Sequence, residues 1–569
     1  MSDEVSIGPG KATLREGVRA ELQHALDGAV GSLATPAPDV RPDDLPRVEV
    51  ERPSKAEHGD LATSVALRLA RPLRRPPLEI ARAIAGEVRL AAVDPASPIA
   101  SVNVAPPGFV NVRVADGALA GLVEQAVSEP ERWGRRPAGP DAPTVNIEFV
   151  SANPTGPLHI GNARGAFVGD LLARVLDAAG GRTTREYYFN DFGAQVRNLG
   201  LSVLAVRAGE PIPDDGYHGD YVVDLASELP EDVVSGAEAG GDDPGWAAGR
   251  WASERVRSGI EASLERLGVH FDVWRSEGSL HGGGWVERAI ARLRERGHVY
   301  EQEGATWFRS TSFGDDKDRV LIRSNGEPTY FAADCGYLLE KFDRDFDELI
   351  YVWGSDHHGT VARLLGAAEA MGFERSRVRV LLTGWVRFVR DGVEVSMSKR
   401  SGTFITLDEL LTEVGADAAR WSFASRGANV DIDFDIELAK KQSNENPVYY
   451  VQYAHARIAS IVRKATAEGL APAASLGDLL SGGPEGGLAR VIVRFPEVVE
   501  DAAAGHETQG VTTYATELAT AFHAFYRDAR VVDPAEPDRS ARRLLLVQAA
   551  QVTLASALEL LGISAPEAM

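Results

Sequence analysis

The sequence predicts an α/β fold: helices on a parallel sheet, with a small α+β unit before it and an all-α bundle after it. Three observations carry this expectation. Strand, helix and strand patterns follow one another within about 45 residues from Thr144, the spacing of a βαβ unit. Upstream, a helical stretch is followed by the alternating run GFVNVRV at 108–114. From Asn446 onward the apolar spacing is helical throughout.

Composition bounds the class. A chain of 569 residues suggests roughly three to five domains. With 44% apolar and 25% charged residues it is globular rather than largely disordered. The 57 glycines and 31 prolines are too few for a low-complexity polymer. Cys335 is the single cysteine, which excludes a disulfide framework or cysteine-rich zinc ribbon and suits a reducing compartment. The start MSDEVSIGPGK lacks the basic and apolar regions of a signal peptide. The apolar stretch 544–563 is interrupted by Gln548, Gln551 and Glu559, so a packed helix is expected there, not a membrane span. These features predict a cytoplasmic protein with no membrane partner. A net charge of −23 argues against indiscriminate polyanion binding and leaves room for a local basic groove.

Along the chain, Leu61, Val65 and Leu69 recur at helical spacing in GDLATSVALRLAR. The Pro/Gly-rich stretch 128–143 is expected to be a linker. TVNIEFV (144–150) is strand-like and runs into the loop SANPTGPLH. The helix after it carries Ala163, Phe167, Leu171 and Val175 on one face, and RTTREYYFND returns as a strand. The polar region 230–244 reads as part of an insertion. ELIYVWG (348–354) and RVRVLLTGW (377–385) are further strands. Asn446-Pro447 starts a helix, and two more helical stretches are expected at about 490–530 and 539–563.

Three constellations carry chemistry. In PTGPLHIGN, His159, Gly161 and Asn162 stand between a strand and a helix N-terminus, where unpaired N–H groups and partial positive charge favour phosphate. Gly161 allows close approach, and His159 supplies a donor for charge building on a phosphoryl oxygen. In DGVEVSMSKRSGTFITLDELL, Lys399 lies between glycines ahead of a capping box formed by Thr406 and Glu409. A lysine there can neutralise departing pyrophosphate. In EPTYFAADCGYLLEKF, Tyr330, Asp334 and Tyr337 share one helical face, while Leu338, Leu339 and Phe342 lie off it. A carboxylate flanked by phenols suits a planar cation; the alternative is an ion pair of Asp334 with Lys341 or Arg344. Glu148 closes the strand before the first loop and Asn153 lies within it. His357 and His358 are adjacent and diverge, so no metal site is expected.

HIGN followed far downstream by SMSKR resembles the paired HIGH and KMSKS signatures of class I aminoacyl-tRNA synthetases. The phrases VSANPTGPLHIGNARGA, YHGDYV, FGDDKDRVLIRS, TYFAAD, VWGSDHHG, SKRSGTFITLDELLTEVGADAAR, QSNENPVYYVQYAHARI and LLGISAPEAM resemble the arginyl-tRNA synthetase family over nearly the whole chain. The resemblance implies a Rossmann-like catalytic domain at 144–400 with an insertion at about 205–320. It further implies an N-terminal tRNA-contacting domain at 1–127, a linker at 128–143, a connecting helical segment at 401–445 and an anticodon-binding bundle at 446–569.

By the same resemblance His159, Asn162 and Lys399 are catalytic. ATP is held by His159, Gly161, Asn162, Gly354, Asp356, His357, Met397 and Lys399, with Mg²⁺ arriving on the nucleotide. Arginine is held by Glu148, Ser151, Asn153, Tyr330 and Asp334. Attack by the 2′-hydroxyl of the terminal adenosine, and a need for bound tRNA during activation, are also implied. Arg74, Arg75, Tyr449, Tyr453 and Arg457 are the expected tRNA contacts, and Arg71, Lys440, Lys441, Arg463 and Lys464 are further local cations. Asn162 and Ser396 depart from the signatures, each replacing a residue that carries charge. The expected protein is a monomer. Two alternatives are a paralogue serving another acceptor and a non-catalytic tRNA-binding regulator.

Overall fold

Five strands, Thr144–Phe149, Arg182–Phe189, Val273–Ser276, Glu348–Gly354 and Val378–Thr383, run parallel in the computed structural model, which describes residues 13–33, 45–91, 97–395, 406–481 and 483–569. The strand 144–149 is central: 182–189 and then 273–276 pair outward on one side, 348–354 and then 378–383 on the other. The strand order therefore reverses between 144–149 and 348–354. Such a switch point opens a crevice at the carboxyl ends of the strands.

Helix Ile160–Ala178 leaves the central strand and lies back on the sheet, with Ala163, Phe167, Leu171 and Val175 all buried, as their spacing predicts. A Cβ on Gly169 would lie 2.2 Å from Phe149 Cγ, so glycine sets how closely this helix approaches the sheet.

The strand Val273–Ser276 lies within the range expected for an insertion yet completes the parallel sheet. Four helices, Ala194–Ala208, Asp220–Glu228, Glu231–Gly240 and Pro244–Arg266, precede it. After it comes a three-stranded antiparallel sheet of Val299–Gln302, Ala305–Phe308 and Arg319–Ile322. That sheet leads into helix Tyr330–Asp343.

In the N-terminal unit, strands Leu61–Thr63, Phe109–Val114 and Ile99–Ala105 form an antiparallel sheet backed by helices. Leu61 belongs to a strand, and the helix starts only at Val65. The helical spacing misled because Leu61, Val65 and Leu69 face one core from two different elements. The expected linker is not solvated throughout. Trp133 is 2% exposed and donates Nε1–H to Thr553 Oγ1 at 2.9 Å, while Arg136 bridges Glu16 and Glu500.

The bundle comprises helices Pro447–Ala467, Pro484–Ile492, Phe495–Gly505, Gln509–Asp528 and Pro537–Leu560. The expected stretch 490–530 is three helices. Pro496 has no N–H to continue the helical hydrogen bonds and sits in the first turn of a new helix, and His506 adopts φ 53°, ending that helix. Asn446-Pro447 starts its helix as predicted. Helix Pro537–Leu560 is long and apolar enough to cross a membrane, yet most of its length is packed inside the bundle.

Candidate active site

The central strand ends in a sharp turn. Val150 and Ser151 both take left-handed backbone angles, φ 66° and 42°, which is costly for a β-branched residue. Side chains hold the turn: Ser151 Oγ donates to Glu148 Oε1 at 3.2 Å and accepts from Tyr188 N–H at 3.1 Å. The Tyr187 hydroxyl accepts from Ala152 N–H at 3.1 Å and donates to Ala152 C=O at 2.9 Å.

The loop then delivers His159 as the N-cap of helix Ile160–Ala178. Its Nδ1 accepts from Gly161 N–H at 3.1 Å, so a neutral ring carries its proton on Nε2 as a donor. A Cβ on Gly161 would stand 2.9 Å from the imidazole. His159 forms a β-bridge with Thr406, and Leu407 N–H donates to Leu158 C=O at 2.9 Å. Thr406 and Glu409 form the predicted capping box. The first signature loop is thus tied at His159 to Thr406, the first described residue after 395. Met397 and Lys399, with Ser396, lie outside the described residues.

Across the switch point, Gly354 ends its strand and is followed by Asp356 and His357, both exposed and 3.6 Å apart. Among the described residues no group of three or more His, Cys, Asp or Glu is placed to hold a metal ion. At the same end of the sheet, Trp385 exposes its indole. Its backbone is fixed by Asp431 Oδ1 at 2.8 Å and the buried Arg164 at 3.4 Å.

Helix Tyr330–Asp343 is capped by Thr329, whose Oγ1 accepts from Ala332 N–H at 3.3 Å. Its expected face divides into three environments. Tyr330, at the helix start, is 68% exposed. Tyr337 is buried, stacked 4.7 Å from Tyr188, and donates to Glu186. Asp334, between them, is half-buried and makes no hydrogen bond or ion pair among the described residues.

Neither alternative partner reaches Asp334. Lys341, fully buried, pairs with Glu148 at 2.7 Å between the rings of Tyr337 and Tyr351. Arg344 pairs with Glu186 at 2.7 Å and Glu340 at 3.1 Å, and Arg275 with Glu340 at 2.7 Å. Burial alone would raise the Glu186 carboxyl, but Lys341 and Arg344 bring it down to about 2.

Two carboxyls stay outside this neutralised floor. Burial raises Asp334 to about 7; Arg363 opposes the rise, and Glu148 and Glu277 add to it. Burial likewise raises Glu277, against its hydrogen bond with Tyr188 and the pull of His281. Glu277, Tyr188 and Lys341 were not legible as site residues. Glu277 follows the strand 273–276, and only pairing of that strand brings it to Asp334. Asn153, expected beside the amino acid, is exposed and donates to Gln195 Oε1 at 2.8 Å.

Of the expected tRNA contacts, Arg74 is exposed at a helix end with φ 50°, and Arg75 lies 4.0 Å from Glu79. Tyr449 and Tyr453 stack at 6.3 Å, and Arg457 donates to Tyr453 Oη at 2.8 Å. Lys440, Lys441, Arg463 and Lys464 are ion-paired with neighbouring acids.

A parallel sheet with a histidine-capped helix at its switch point, bridged to Thr406 at the start of the helix beyond, is the arrangement of a class I aminoacyl-tRNA synthetase. The class I (R) tRNA synthetase catalytic-domain model matches residues 123–209 and 247–433. The arginyl tRNA synthetase N-terminal domain model matches 14–114, and the DALR anticodon-binding domain model 451–569. The arginine–tRNA ligase of Desulforudis audaxviator (strain MP104C) is 44% identical over 98% of this chain and 100% of its own length. That of Bacillus subtilis (strain 168) is 42% identical over 92% and 95%. Thermus thermophilus arginyl-tRNA synthetase shares the fold with TM-score 0.75 at 24% identity, covering 97% of this chain and 100% of that one. The chain belongs to the arginyl-tRNA synthetase family.

Proposed function

We propose that this chain joins L-arginine to tRNA(Arg) at the expense of ATP. The observation that carries the specificity is Asp334: a half-buried carboxylate with no hydrogen bond or ion pair among the described residues, near Glu277 and on the same helix as the exposed Tyr330. Such a site wants a planar cation that can fill both oxygens and stack on a ring. Glu148 is engaged by Lys341, so its part is to hold Ser151 rather than to grip the guanidinium alone.

In the first step the arginine carboxylate attacks the α-phosphorus of ATP, forming arginyl-adenylate and releasing pyrophosphate. ATP binds as its Mg²⁺ complex at the switch point. Gly161 and Asn162 offer the helix N-terminus, His159 donates from Nε2, and Gly354, Asp356 and His357 line the nucleoside side. Met397 and Lys399 complete the phosphate grip, Lys399 neutralising the departing pyrophosphate. Ser151 and Asn153 orient the amino acid's backbone groups. In the second step the 2′-hydroxyl of the terminal adenosine attacks the carbonyl and AMP leaves. The chemistry is positioning and electrostatics, with no covalent enzyme intermediate.

tRNA is gripped by Arg74 and Arg75 on the N-terminal unit and by Tyr449, Tyr453 and Arg457 on the bundle, where stacked rings and a cation suit unstacked anticodon bases. The protein acts as a monomer in the cytoplasm. The test is ATP–pyrophosphate exchange across the twenty amino acids, with and without tRNA. Exchange with arginine and no other amino acid, and only when tRNA is present, supports the reading. Well-folded protein without exchange would make the chain a tRNA-binding regulator, and exchange without tRNA charging a paralogue.

A further inference from the structure

One cation near Asp334 has no part in the proposed reaction. Arg363 lies on helix His358–Ala370, which packs against helix Tyr330–Asp343. Its guanidinium sits 5.7 Å over the ring of Phe331, one turn ahead of Asp334. Nη2 donates to Thr360 Oγ1 at 3.0 Å, and the buried Nε has no partner among the described residues. The head is therefore fixed by stacking and one hydrogen bond, and forms no ion pair with any described carboxylate.

The groups whose charge acts on Asp334 come from three neighbouring elements. Glu148 stands on the central strand, Glu277 on helix Glu277–Gly282 and Arg363 on helix His358–Ala370. The phenols of Tyr188 and Tyr351 and the thiol of Cys335 complete the surroundings. Two carboxylates oppose ionisation of a third, and one cation favours it. A guanidinium closed onto Asp334 would occupy the substrate's place. Held back on Phe331 and Thr360, it supplies its field and leaves the carboxylate oxygens open.

We propose that Arg363 is a positioning residue for arginine capture: its fixed guanidinium keeps the Asp334 carboxyl charged without covering it. This rests on Asp334 being the partner of the substrate guanidinium. The Asp334 carboxyl already sits near neutrality, so losing the resident cation moves its ionisation upward, and arginine must then displace a proton in order to bind.

The test is calorimetric titration of L-arginine into the full chain from pH 6 to 9, for wild type, Arg363→Gln, Arg363→Lys and Asp334→Asn. Gln keeps a hydrogen bond to Thr360 and removes the charge; Lys keeps the charge. Arg363→Gln should move the pH midpoint of arginine affinity up by about one unit, giving about tenfold weaker binding below it and convergence on wild type at pH 9. Arg363→Lys should keep the wild-type midpoint. An unmoved midpoint in Arg363→Gln, or equal weakening at every pH, would overturn the proposal. Asp334→Asn should lose arginine binding. If it binds like wild type, the site assignment itself fails; if it loses binding while the Arg363→Gln midpoint stays put, only the role of Arg363 fails.

Discussion

The ammonium of Lys341 lies 2.7 Å from the carboxylate of Glu148, and among the described residues no cation is ion-paired with Asp334. The family resemblance groups both acids around arginine; the structure gives them different surroundings. Glu148 is compensated within the fold and accepts from Ser151, whereas Asp334 is half-buried with no ion pair among the described residues. A protein that leaves a half-buried carboxyl unpaired gives up stability to keep a binding site.

Asp334→Ala should raise the KM for arginine by 100-fold or more, about 3 kcal/mol or above, while the KM for ATP changes little. Steady-state exchange kinetics check this. Equal losses for both substrates would place Asp334 outside the guanidinium site.

Asp334→Asn should stabilise the folded chain at alkaline pH. The folded carboxyl sits near 7 against an ordinary 3.8. Below 3.8 it is protonated in both states and contributes nothing. As pH rises from 4 toward 7 the unfolded state loses its proton first, so the wild type loses stability through that window. Asparagine removes a penalty on the order of 2–4 kcal/mol at pH 8, and the advantage should vanish near pH 4. Thermal unfolding of both proteins across that range reads the trend.

Lys341→Met should destabilise the protein by about 3–5 kcal/mol, because it strands Glu148 and takes a cation from Glu186. The double variant Lys341→Met with Glu148→Gln should recover much of that loss. Denaturant unfolding of the two variants separates a broken ion pair from lost packing, which the second change would not repair.

Gly161→Ala should slow adenylate formation by 10-fold or more, on the order of 1.4 kcal/mol, since the new methyl meets the His159 ring at 2.9 Å. Arginine binding measured without ATP should stay at the wild-type value. Lys399→Ala should cost activation about 2–4 kcal/mol in rate, the scale of a lost oxyanion donor.

Much of the fold was legible because local signals agreed with the tertiary outcome. ELIYVWG became the strand Glu348–Gly354, Asn446-Pro447 opened its helix, and Thr406 with Glu409 made its capping box. Misreadings came where one core is shared by two elements, as at Leu61 and Val65, or where Pro496 and His506 break an apolar pattern without changing its hydropathy. In the site, His159, Asp334 and Tyr330 announced themselves by motif and helical face. Glu277, Arg363 and Lys341 did not, since they meet the pocket only through strand pairing and helix packing across long sequence separations. No periodicity encodes which of several acids a buried lysine will choose.

Direct titration of the full chain with L-arginine and with L-citrulline, its uncharged isostere, probes the carboxylate pocket most sharply. Arginine should bind at least about a thousandfold more tightly than citrulline, and Asp334→Ala should abolish most of that preference. Comparable affinities for the two ligands in the wild-type protein would contradict a pocket built around an unpaired Asp334.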